Sequence, residues 1–235
     1  MPRSFSFCLI VAAAALGTPA AAELGAPATL PLLSLDGGIL AQPRESTVQV
    51  VALAGATEGL GSGVVIGRDG DGVLVLTAKH VAVYGVPSVR LGGGAALLPA
   101  SIVALVPHRD LALLEVRVPD DVAWQIPTPR IGLPPAPGQP LYVIGDGEHG
   151  TILERGSLRS VGPMLEDGPA RGRFTFACDT CHPGESGAGV FRSDGTLVGI
   201  YIGRFRSVPD GAFLSSVADL PIALSDVLPQ TSPFF

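Results

Sequence analysis

Proline and glycine set the first limit on this fold. The 22 prolines and 31 glycines are spread so evenly that the apolar runs between them are short. No run shows the sustained 3.6-residue period of a long amphipathic helix, while many suit a strand. The expectation is an all-β chain of many short strands and tight turns. The prolines also divide it. Pro119, Pro127, Pro129, Pro134, Pro135, Pro137 and Pro140 crowd one segment. Proline cannot donate to a β-ladder. Residues 119–140 therefore read as an ordered Pro-rich linker, with Trp124 packed against one of the halves it joins.

Each half carries strand patterns. In residues 46–118, Val48, Val50, Ala52 and Ala54 alternate with period two, as in a half-buried strand. Residues 62–67, 73–77, 88–91, 100–106 and 111–118 supply five more strands. Arg68-Asp69-Gly70-Asp71-Gly72 reads as a hairpin turn, because Asp-Gly tolerates the positive φ of a tight turn. Ala78 to Val83 reads as a short helical turn. Six strands in so short a length predict a small closed barrel. Residues 141–235 repeat the style, with strands at 141–145, 151–161, 173–178, 189–192, 197–203 and 212–214, and a Ser193-Asp194-Gly195-Thr196 turn. Asp219 as N-cap and Pro221 in the first turn predict a short C-terminal helix. The expected architecture is two six-stranded antiparallel β-barrels with a cleft between them.

The N-terminus reads as an export signal. Arg3 is followed by an apolar run from Phe5 to Leu16, then by Gly17-Thr18-Pro19 and Ala20-Ala21-Ala22 as a cleavage site. That run is too short to span a bilayer comfortably, and no later stretch is long enough. The expectation is a signal peptide over residues 1–22 and a periplasmic or secreted protein without stable membrane insertion. Residues 23–45, rich in Pro, Ala and Leu, fit a linker, a propeptide or a wrapping arm. Lysine and arginine total 15 against 21 acidic residues, with no basic patch, which argues against nucleic acid as a partner.

Three short motifs carry chemistry. Gly61-Ser62-Gly63-Val64-Val65-Ile66 precedes Thr77-Ala78-Lys79-His80-Val81; Asp110-Leu111-Ala112-Leu113-Leu114 and Gly184-Glu185-Ser186-Gly187-Ala188 follow. In that order they resemble the histidine, aspartate and serine motifs of the trypsin/chymotrypsin-like serine proteases, with Leu197-Val198-Gly199-Ile200 resembling the strand that lines the substrate cleft. The resemblance runs from about Thr47 to Leu214 and is nearest in flavour to the bacterial secreted, glutamyl-endopeptidase-like branch. It implies a trypsin-like double barrel and a serine endopeptidase acting on protein or peptide without a cofactor. A serine hydroxyl needs a base to take its proton, and the base needs a carboxylate to fix its tautomer. His80 would be that base, Asp110 its orienter and Ser186 the nucleophile. The backbone N–H groups of Gly184 and Ser186 would form the oxyanion hole. Thr180, Cys181, Tyr201, Gly203 and Arg204 fall near the expected substrate pocket.

The chain departs from that pattern in places. Glu185 stands where many relatives have Asp or Asn; it would pair with a new N-terminal amine, pair with an arginine, or face solvent. Tyr201 stands where glutamyl-specific relatives have a histidine. Arg204 and Arg206 offer charge instead, so a preference for acidic substrates is an expectation. A bridge between Cys178 and Cys181 would stiffen the loop before Ser186, and exported proteins permit it.

Two readings from other classes compete. One is a triad-bearing binding or scaffold protein with little turnover. The other is a c-type haem carrier using Cys178-x-x-Cys181-His182. Small haem carriers are helical and often use an axial methionine, and outside the leader this chain has only Met164. Two cysteines and one adjacent histidine do not make a tetrahedral metal set. An α/β-hydrolase reading fails on order, since no histidine follows Ser186.

Overall fold

The structure is a computed structural model of the chain. It describes residues 40–69, 72–91, 96–106, 109–118, 126–133, 136, 138–147, 150–160, 173–177, 181, 184–204 and 211–216. The expected leader, most of the 23–45 segment, Trp124 and the C-terminal helix lie outside these residues.

The first sheet holds β1 (Thr47–Ala54), β2 (Thr57–Asp69), β3 (Gly72–Ala78), β4 (Val86–Leu91), β5 (Leu98–Val106) and β6 (Leu111–Arg117). It closes in the order β1-β2-β3-β6-β5-β4, all antiparallel. The second holds β7 (Pro140–Gly147), β8 (Gly150–Ser160), β9 (Arg173–Ala177), β10 (Gly189–Arg192), β11 (Leu197–Arg204) and β12 (Gly211–Ser216). Its order is β10-β11-β12-β9-β8-β7, and β7 pairs back onto β10. Both lie in one compact unit. β2 starts five residues before the alternation predicts (Thr57 rather than Ser62). The cause is its Gly-rich first half, which carries little hydrophobic signal yet pairs residue for residue with β1.

The interior follows from the strand patterns. Val48, Val50, Val65, Val75, Leu114 and Val116 fill the first barrel. Leu141, Val143, Cys181, Ala188, Val190, Val198 and Tyr201 pack within the second sheet. A third cluster crosses between them: Val64, Ile66, Leu74, Leu76, Leu111 and Leu113 of the first sheet meet Ile144, Phe191, Leu197 and Ile200 of the second. Burying one such side chain contributes about 1.5–3 kcal/mol. The seam between the sheets is thus an apolar core in its own right, and a site built across it is held rigidly.

Two segments that read as connections take part in packing. Residues Ala41–Glu45 form helix α1 with Pro43 buried. Ser46 and Thr47 both donate their hydroxyls to Pro43 O, at 2.8 and 2.9 Å. Within the linker, Ile126 is buried against the first barrel, and Ile131 bridges to Leu197 in parallel. The Gly132 N–H donates to Leu197 O at 3.0 Å and the Leu197 N–H to Arg130 O at 2.8 Å. Among the described residues, no helix is long and apolar enough to cross a membrane.

Candidate active site

His80 lies on α2 (Lys79–Ala82), the single helical turn leaving β3. Its N-cap position is Ala78, which has no side chain able to cap. The first N–H groups of a helix need acceptors from elsewhere, and Asp110 supplies them. The Lys79 N–H donates to Asp110 O at 2.8 Å, and the His80 N–H to Asp110 Oδ1 at 3.0 Å. The second carboxylate oxygen, Oδ2, stands 2.7 Å from His80 Nδ1. One aspartate thus caps the helix and fixes the Nδ1 edge of the ring. Its backbone is bent to reach: Asp110 has φ 57°, the only positive φ at a non-glycine among the described residues. Aspartate tolerates this left-handed conformation better than most side chains. The imidazole is half exposed (48 %) and the carboxylate less so (22 %).

Ser186 sits in a turn between two positive-φ glycines, Gly184 and Gly187, both at φ 94°. Only glycine adopts this conformation without strain. The loop is tied to both sheets. The Ser62 N–H of β2 donates to Ser186 O at 2.8 Å, and the Gly187 N–H donates to Tyr201 O of β11 at 2.8 Å. Thr77 closes the link to the histidine segment, donating its hydroxyl to Ser62 O at 2.7 Å. Ser62 Oγ in turn accepts the Asp146 N–H from β7 at 3.0 Å. Ser62, fully buried, therefore joins three segments: the serine loop, the strand leading to His80, and the end of β7. Sequence reasoning used Ser62 and Thr77 only as motif neighbours; their linking role shows only once β2 and β3 are in register, Gly63 opposite Thr77.

The remaining residues fall as follows. Glu185 is buried, 2 % exposed, which removes the solvent-facing alternative. Tyr201 is 1 % exposed and packs with Cys181 inside the second sheet, away from open solvent. Gly203 has φ 143° beside a register shift between β11 and β12. Arg204 ends β11. Cys181 is fully buried and its sulfur is in a disulfide, so it is not available to bond a haem vinyl carbon. Cys178, Thr180, His182 and Arg206 lie outside the described residues. Among the described residues, no three His, Cys, Asp or Glu side chains cluster as a metal set. Asp146, partly buried at the seam, has its carboxyl held above the ordinary range by desolvation, which outweighs the pull of Arg90.

An all-antiparallel pair of sheets, with a carboxylate–imidazole pair on one and a glycine-flanked serine loop on the other, defines the trypsin-like class of peptidase folds. The chain belongs to that family: the trypsin-like peptidase domain matches residues 61–200. Solved structures agree on the fold. The active form of the Rv3671c protease from M. tuberculosis superposes with a TM-score of 0.66 at 22 % identity, covering 83 % of this chain and 87 % of that one. A serine endoprotease from Yersinia pestis gives 0.64 at 22 %, covering 80 % and 65 %. The HtrA-type protease AlgW, solved with a tripeptide, gives 0.64 at 20 %, covering 79 % and 62 %. No curated protein matches by sequence.

Proposed function

We propose that the protein is an exported serine endopeptidase in which His80, Asp110 and Ser186 form the catalytic triad. The observation that carries this is the 2.7 Å contact between His80 Nδ1 and Asp110 Oδ2, with the Ser186 loop bonded to Ser62 of β2, whose carbonyl accepts from Thr77 of the strand that leads to His80. With Nδ1–H held by Asp110, the other ring nitrogen is left as the base. Ser186 Oγ attacks the scissile carbonyl as His80 takes its proton. The C–N bond then breaks, the proton passes to the leaving amine, and an acyl-enzyme remains. Water, deprotonated by His80, hydrolyses it and restores Ser186. The N–H groups of Gly184 and Ser186 stabilise the oxyanion; the φ of Gly184 supports this role. Thr180, Gly203 and Arg204 border the substrate pocket, with the buried Cys181 and Tyr201 packed behind it, and Arg204 and Arg206 favour acidic side chains there. Cys178 is the disulfide partner of Cys181.

The architecture proposed is the complete trypsin-like double barrel, with the first barrel over residues 46–118, the linker over 119–140, the second barrel over 141–235 and a short terminal helix. Residues 1–22 direct export to the periplasm or beyond. The burial of Pro43 and the two hydroxyl bonds that its carbonyl accepts support reading the last part of the 23–45 segment as a wrapped arm. A fluorophosphonate probe tests the chemistry. It should label the mature protein at Ser186 and leave Ser186→Ala unlabelled. An unlabelled, folded wild type would sink the peptidase reading. Sequencing of the mature N-terminus tests export, with a start near residue 23 expected.

A further inference from the structure

One face of β2 carries glycine at every second position: Gly59, Gly61 and Gly63. Residues two apart on a strand share a face, so this face is bare and other groups lie on it. A Cβ on Gly63 would meet Val75 and Val50, the barrel interior. A Cβ on Gly61 would meet Val81 at 2.7 Å and Ser186 O at 2.8 Å. A Cβ on Gly59 would meet the ring of Tyr84, with Cδ1 at 2.7 Å and Cγ at 3.0 Å. The lane therefore runs from the core, past the serine loop, to an aromatic ring. Tyr84 rests on β2 about 7 Å along the strand from the place where Ser186 O sits. Tyr84 is nonetheless 49 % exposed, and the adjacent Val83 is 46 % exposed. Both hang from the C-terminal end of α2, the turn that carries His80, through the Val83 N–H to Lys79 O and Tyr84 N–H to Val81 O bonds.

We propose that Tyr84, with Val83, is a platform for an apolar side chain of the peptide substrate on the leaving-group side of the scissile bond. This rests on the peptidase reading above. The side follows from the chemistry: His80 must hand its proton to the leaving amine, so the departing peptide passes over the turn that holds His80. The second tether of the serine loop runs the other way, from Gly187 to Tyr201 on β11, leaving the β2 rim to the departing half. The ligand is recognised by the ring face. An exposed aromatic ring seated on a glycine, which takes up no lateral room, offers a flat apolar surface at small entropic cost.

The test compares two substrate types on the full-length mature protein. The first is an acyl-side chromogenic anilide with no amino acid after the bond. The second is a quenched fluorescent peptide pair with Leu or Ser at the first two positions after it. Wild type should prefer Leu over Ser by about fivefold in kcat/KM, the factor one aromatic–apolar contact typically supplies. Tyr84→Ser should erase that preference and lower the Leu-peptide to anilide ratio by the same factor, while Tyr84→Phe keeps both. Gly59→Ala, which displaces the ring without altering it, should behave like Tyr84→Ser. Equal losses on anilide and peptide would mark Tyr84 as merely structural and overturn the proposal, as would a wild type indifferent to Leu against Ser. A wild type that hydrolyses neither substrate and takes no fluorophosphonate overturns the peptidase reading itself, and the platform with it.

Discussion

Replacing Asp110 by asparagine separates its two jobs. The carboxylate caps α2 through Oδ1 (3.0 Å to the His80 N–H) and orients the imidazole through Oδ2 (2.7 Å to Nδ1). Asparagine has one acceptor oxygen and one NH2 group. If the oxygen keeps the backbone N–H, the NH2 faces Nδ1 and turns that nitrogen into an acceptor. The ring proton then sits on the nitrogen that must accept from Ser186, and the base is lost. In serine peptidases this change typically costs about 10⁴ in kcat, or about 5.5 kcal/mol of barrier. The fold should barely notice. The cap is kept, and asparagine accepts the φ of 57° as readily as aspartate. Asp110→Ala is different. It loses a cap, about 1 kcal/mol, and forces a Cβ-bearing residue without local hydrogen bonds into the left-handed region, about 1–2 kcal/mol more. Turnover of a chromogenic peptide, measured beside thermal unfolding, separates the two. Asp110→Asn should be nearly inactive with a melting temperature close to wild type; Asp110→Ala should be inactive and melt several degrees lower. An Asp110→Asn enzyme within tenfold of wild type in kcat would refute the orienting role. Equal melting temperatures for the two variants would refute the capping role.

Three further perturbations follow from the same geometry. Gly187→Ala places a Cβ against Ser62 O and Thr77 Oγ1 at φ 94°. The strain, on the order of 1–3 kcal/mol, should appear as a lower melting temperature together with slow fluorophosphonate labelling, because the serine loop must move. Phe191→Ala removes a fully buried ring from the cluster that joins the two sheets. It should cost about 3–5 kcal/mol by denaturant titration, with both sheets unfolding in one transition. Asp146→Asn should raise the melting temperature at pH 7. Burial lifts the folded pKa of Asp146 above its ordinary 3.8, so the ionised form is disfavoured in the fold. That penalty is complete above the folded pKa, shrinks as pH falls through it, and is gone below the unfolded value. The advantage of asparagine should therefore vanish in acid, and an advantage that instead grew on acidification would contradict the burial argument.

Strand positions were legible where a short apolar run stands between turn residues. The runs around Val48, Leu74, Leu113, Val143 and Leu197 all lie in strands; β1, β3 and β6 are buried on nearly every residue of both faces, so the length of the run and its flanking turns, more than alternation, carried the signal. The readings of His80, Asp110 and Ser186 rested on different signals. Gly184 and Gly187 beside Ser186 take a positive φ that glycine accepts freely, and Thr77 and Ala78 before His80 pair with Ala112 and Leu111 after Asp110. What escaped reading is what depends on register. Nothing in the sequence near Ser62 announces a bond to Ser186, since the partners are 124 positions apart in number and meet only when both sheets have formed. The positive φ of Asp110 escaped too, because an aspartate before a strand reads equally well as an ordinary turn residue.

The glycines of β2 show why the most informative positions were the least conspicuous. A strand-former scale penalises Gly59, Gly61 and Gly63, and for that reason alternation placed the start of β2 too late. Yet a side chain at Gly61 would occupy the space where Ser186 O accepts the Ser62 N–H. A side chain at Gly59 would push Tyr84 aside, and one at Gly63 would crowd the barrel interior. The weak strand propensity of these positions is thus the condition for bringing the second sheet's serine loop against the first sheet's histidine turn. Packing between Phe191, Ile200 and the first-sheet leucines can stabilise the seam, but it cannot set the approach of two backbones. That distance is fixed by the absence of side chains on β2, which ties the local weakness of one strand directly to the chemistry proposed across the seam.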